Sequence, residues 1–165
     1  MLLTASWDLG STRGVDIDLV CIYETDEGVK GTVQGLGDEF GRLGKAPYVL
    51  LHNDERNAGS EVMEVNLARV HQLRRLTFFV YAYSGASTLA KVKNARVTIQ
   101  HPDYSEPIVV VLGTVKTRSC ALVEINVDPA TGAQELTEVV QPINGTHLEV
   151  DRAFGWNIDW RSASK

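Results

Sequence analysis

The chain of 165 residues has two cysteines, five prolines and only 7% aromatic residues, and no apolar run approaches the ~20 residues that cross a bilayer as a helix. Each scarcity closes off a class. Two cysteines, Cys21 and Cys120, cannot staple a disulfide scaffold. Both sit inside apolar stretches (Leu19-Val20-Cys21-Ile22 and Cys120-Ala121-Leu122-Val123), the setting of buried, reduced thiols. The opening residues lack a basic segment followed by an apolar core of signal-peptide length, so a cytoplasmic protein is expected. Basic residues are outnumbered, 16 against 21 acidic, for a net charge of −5. Phosphate backbones are bound by basic patches, so no nucleic-acid partner is expected.

Catalytic signatures are missing as well. There is no nucleophile elbow, no phosphate loop and no dinucleotide fingerprint, and Gly35-Leu36-Gly37 lacks the third glycine and the helix that would follow it. The four histidines (His52, His71, His101 and His147) show no zinc-site spacing. No enzyme activity is expected. Asn144-Gly145-Thr146 matches a glycosylation sequon and is read as a turn.

What is present is a globular composition, 44% apolar and 22% charged, at a length suited to one domain over residues 1–165. Alternating runs dominate. Val15 to Tyr23 places Ile17, Leu19, Cys21 and Tyr23 on one face and Asp16, Asp18, Val20 and Ile22 on the other. Further strands are expected over 29–36, 47–51, 61–67, 76–83, 95–99, 108–112, 120–127 and 134–140. The run Leu76–Tyr83 is continuously apolar and aromatic, as a strand buried on both faces should be. Short helical turns fit residues 86–93 and 148–153. The pattern predicts an all-β fold: a two-sheet β-sandwich of about nine or ten mostly antiparallel strands with short helical turns.

The acidic residues carry the chemistry. Asp16 and Asp18 lie two apart on a strand, so their carboxylates leave one face about 7 Å apart, near the rim of the sheet. A second acidic cluster follows the strand at 47–51: Asn53-Asp54-Glu55-Arg56-Asn57-Ala58-Gly59-Ser60-Glu61. Hard cations such as calcium take six to eight oxygens in flexible geometry, and loops at the end of a sandwich can supply them. Solvated rim charges and turn formers fit the same spacing. Elsewhere, Trp7, Trp156 and Trp160 read as aromatics closing the ends of the sandwich, and Arg69, Arg74 and Arg75 around His71 as a solvated basic turn. Pro107, Val109 and Val111 suggest an edge strand open to pairing with another chain.

Residues 14–23, with their Asp-x-Asp strand, resemble the opening strand of the TerD-domain family, the tellurium-resistance or stress-response proteins of bacteria. Asn53-Asp54-Glu55-Arg56 followed by Glu61-Val62-Met63-Glu64-Val65-Asn66-Leu67 is similar to the family's acidic loop and the strand after it. The apolar strand at 76–83, Val92-Lys93-Asn94-Ala95-Arg96-Val97 and the closing residues 151–160 extend the likeness over about residues 7 to 165. The resemblance implies a β-sandwich that binds calcium and a non-enzymatic stress-response role exercised through protein or membrane-associated partners. By position it makes Asp16 and Asp18 strand ligands, Asp54 the first loop ligand and Glu61 the ligand closing the loop, with Glu55 where the family has Asn or Asp. The loop is shorter than the family's and lacks carboxylates, which resembles the TerA- or TerF-like branch and implies one weakened or lost site. The alternative is a metal-independent structural or assembly module that keeps the sandwich without the calcium site.

Overall fold

A computed structural model describes residues 1–9, 15–52 and 59–160. Among these residues eleven strands run in chain order as β1 (Leu2–Ser6), β2 (Asp16–Thr25), β3 (Lys30–Val33), β4 (Gly41–Arg42), β5 (Val49–Leu51), β6 (Ser60–Val65), β7 (Leu73–Ser84), β8 (Arg96–Gln100), β9 (Ile108–Val111), β10 (Ser119–Val127) and β11 (Gln134–Ile143), followed by one α-helix, α1 (His147–Phe154). They form two antiparallel sheets, one ordered β4-β5-β6-β1-β8-β9 and the other β11-β10-β7-β2-β3. The two-sheet sandwich expected from the alternation is present.

Two strands were not expected. β1 carries only two inward residues, Leu3 and Ala5, too few to register as a periodic run, yet it lies between β6 and β8 at the centre of its sheet. β4 is two residues long and has no pattern to detect. The helical turns fall where expected, as a 3₁₀ turn at Leu89–Lys91 and as α1. The sequon residues end as a bend whose last member, Thr146, forms a capping box with Glu149 at the start of α1.

The inter-sheet core is built from alternate residues: Ile17, Leu19 and Cys21 of β2 and Phe78, Val80 and Ala82 of β7 face Leu3, Ala5, Met63, Val65, Val97 and Ile99. The opposite residues of the same strands, Val20, Ile22, Phe79 and Tyr81, form a second apolar cluster under Val150 of α1 and Trp156. This second layer is why the sequence of β7 is apolar without a break. Trp156 is 1% exposed and its indole N–H donates to Thr77 Oγ1 at 3.1 Å, so it is a core residue rather than an end cap. Burying a side chain of this size stabilises the fold by about 1.5–3 kcal/mol.

The expected basic turn is a set of structural contacts at two of its three arginines. Arg75 pairs with Glu124, donates to Phe154 O at 2.8 Å and stacks its guanidinium 4.6 Å from the Trp156 ring, tying the tail to the sheet. Arg74 holds Asp26 O through two N–H groups. Both cysteines are free and buried, and burial pushes both thiols up, Cys120 to about 11, so neither is an activated nucleophile. No helix among the described residues is long and apolar enough to cross a membrane.

Candidate metal centre

β2 is ten residues long, but β3 pairs only with its Cys21–Glu24 part. The flank of β2 before Cys21 is therefore left without a strand partner from β3. Into this gap comes Glu61 from β6, in the other sheet: its Oε2 accepts the Leu19 N–H at 2.7 Å, taking the role a neighbouring carbonyl would have played. Asp16 and Asp18 project from the same stretch of β2. One carboxylate oxygen from each of Asp16, Asp18 and Glu61 lies within 4.8 Å of the other two.

All three side chains are buried, at 1%, 1% and 2% exposure. The pair on β2 is not the solvated rim feature that its spacing also allowed. The sequence places the Asp pair at the start of the strand; the tertiary fold covers it. Asp18 is held by the Tyr81 hydroxyl, which donates to Asp18 Oδ2 at 2.7 Å from β7. Burial, together with the adjacent Asp18 carboxylate, raises the Tyr81 phenol far above its ordinary range, so it remains a proton donor at every accessible pH.

Three carboxylates this close, out of water, cannot all stay ionised without positive charge among them. Their donor set is all oxygen, the chemistry of a hard divalent cation, and the Leu19 and Tyr81 bonds orient two of the three carboxylates as outer contacts orient metal ligands. The donor set therefore fits calcium or magnesium rather than zinc, which favours imidazole and thiolate. Asp54 and Glu55 lie outside the described residues, so the structure brings together three of the five expected ligands. Tyr81, the residue that holds Asp18, was not singled out in the sequence; its position amid apolar neighbours in a two-face-buried strand was the available signal, because a buried hydroxyl needs a partner.

No family model matches the chain. It is 30% identical over 161 residues, 94% of its length, to the tellurium resistance protein TerA of an Alcaligenes species. It superposes with a TM-score of 0.65 on the crystal structure of a homologue of the telluride resistance protein TerD from Streptomyces coelicolor A3(2), at 18% identity, covering 89% of this chain and 92% of that one. The likeness to TerA bears out the resemblance to the TerD-domain family. A second solved structure, the protein of unknown function SAV2460, aligns with a TM-score of 0.68 at 18% identity over 93% of this chain and 95% of its own. The chain spans about half, 46%, of the length of the curated TerA relative it matches.

Proposed function

We propose that this TerD-domain chain is a calcium-binding module of the bacterial stress response that works without catalysis, through protein partners. The observation that carries the reading is the buried convergence of Asp16, Asp18 and Glu61 from two different sheets. A cation there neutralises charge that the fold has already removed from water, and it ties β2 to β6 across the sandwich. The resemblance to the TerD-domain family adds Asp54 and Glu55, just before β6 in the sequence, as candidates for the further carboxylates of an oxygen shell. The tellurium-resistance relative supports the stress-response setting. The buried, inert thiols agree with a binding role rather than with thiol chemistry.

The test is calorimetric titration of calcium into chelator-treated protein, with magnesium as control and an Asp18→Asn/Glu61→Gln variant alongside. Saturable heat is expected for the wild type, together with stabilisation of about 2.7 kcal/mol at a hundredfold excess over Kd, and neither in the variant. No heat and no rise in Tm at millimolar calcium would overturn the proposal and leave a metal-independent sandwich.

A further inference from the structure

Among the described residues four strands form the edges of the two sheets, and three are blunted. β4 is two residues long. β3 is four residues long with a lysine that reaches over to Trp156 O at 2.7 Å. β11 carries Glu135, Glu138 and Pro142, and its ladder with β10 is interrupted beside Val140, which sits at a φ of 42°. Charges, prolines and bulges of this kind prevent an edge from pairing with another chain. β9 has none of them. Its residues are Ile108-Val109-Val110-Val111, and no charged side chain occurs from Pro107 to Val115.

The direction of its free hydrogen-bonding groups follows from the ladder. Leu112 N–H donates to Ala95 O at 2.9 Å, and the register pairs Val110 with Val97 and Ile108 with Ile99. In an antiparallel ladder alternate residues turn their backbone to the neighbour. Ile108, Val110 and Leu112 thus face β8, while Val109 and Val111 turn their N–H and C=O groups to the open side. The same two valines expose their side chains on the outer surface, at 50% and 61%.

We infer that the free edge of β9 is a self-association surface, which pairs antiparallel with β9 of a second copy of this chain. A two-fold axis at Val110 sets Val109 against Val111 of the second copy and Val111 against its Val109. Outward-facing backbone then meets outward-facing backbone, giving four ladder hydrogen bonds and a patch of four valines. The charges flanking the strand select this partner and direction. Exposed Asp103 and Glu106 precede β9, and exposed Lys116 follows it, with Arg96 beside Val111 across the ladder. Antiparallel pairing brings the acidic end of one copy to the basic end of the other, whereas parallel pairing sets like charges together. For a chain of net charge −5, an uncharged strand with opposite charges at its ends is the segment able to meet its own copy. The edge is short beside the roughly 800 Å² per partner of a standard interface, so the dimer is expected to be weak and reversible.

Sedimentation equilibrium from micromolar to millimolar protein tests the inference. The wild type is expected to dimerise reversibly. Val111→Pro removes one outward N–H at a φ of −85°, which proline tolerates, and is expected to weaken association at least about tenfold with Tm unchanged. Val109→Lys, a charge on the open edge, is expected to do the same, whereas Leu148→Lys on exposed α1 has no effect. A wild type that stays monomeric to millimolar concentration overturns the inference and leaves the edge to a strand of another protein. A dimer that survives both folded β9 variants overturns it equally.

Discussion

Tyr81 and Asp18 are held together at 2.7 Å across the β2–β7 ladder, with the phenol O–H donating to Asp18 Oδ2, while the Tyr81 ring lies 4.8 Å from His147 at the start of α1. The candidate metal centre and the second apolar layer thus share one side chain. Tyr81→Phe removes the donor and leaves the ring. Loss of a buried hydrogen bond to a charged group costs about 1.5–3 kcal/mol, which thermal or urea unfolding will register as a lower Tm or midpoint. Because the bond also orients a ligand, calcium affinity is expected to fall by about tenfold or more in the same variant.

Glu61→Gln separates charge from geometry at the same centre. The glutamine oxygen still accepts the Leu19 N–H, so the metal-free fold keeps its stability or gains slightly from reduced carboxylate repulsion. The rise in Tm on adding calcium disappears. Paired melts with chelator and with calcium read both effects.

His147 gives the fold a pH-dependence with a definite sign. Burial pushes its imidazole down to about 4, and its Nε2 bonds the Gln34 amide oxygen at 2.7 Å, with Phe79 and Trp160 rings 5.4 and 5.2 Å away. The folded state therefore holds the ring neutral where the unfolded chain, titrating near the ordinary 6.5, takes up a proton. Between about pH 6.5 and 4 the unfolded state binds more protons, so stability falls as pH falls through that window. Chemical denaturation at pH 7.5, 6, 5 and 4.5 will show a steeper decline for wild type than for His147→Gln.

Asp151 anchors the residues after α1. Its Oδ1 accepts the Asn157 N–H at 2.9 Å, and its Oδ2 accepts the Ile158 N–H and the Trp160 indole N–H, both at 2.8 Å. Asp151→Ala leaves these donors without their acceptor at a position 4% exposed. The expected cost is about 3 kcal/mol or more, with a red shift of tryptophan emission as Trp160 leaves its site. Asp151→Asn, which keeps one acceptor oxygen, is expected to lose less.

The legibility of the sequence was uneven for a physical reason. β2, β7 and β10 show their period because each is long and buried; β1 and β4 do not, since two inward residues or none make no period. Asp16 and Asp18 were legible as a pair because a strand repeats every two residues. Their burial was not, because what covers them arrives from elsewhere: Glu61 from the other sheet and Tyr81 from β7. Arg75 read as part of a basic turn, since neither Glu124 nor Trp156 is near it in sequence.

By itself, then, the sequence determined the sandwich, through alternation that buries one face of each strand; the acidic character of the β2 start; and the reduced, buried state of Cys21 and Cys120. Only the tertiary structure decided that β3 stops opposite Cys21 and opens a gap for Glu61, that three carboxylates converge within 4.8 Å, and that β9 is the unblunted edge among the described residues. Periodicity is a property of one segment and is written locally. Convergence and edges are properties of how segments meet, and they are fixed only when the two sheets close on a common core.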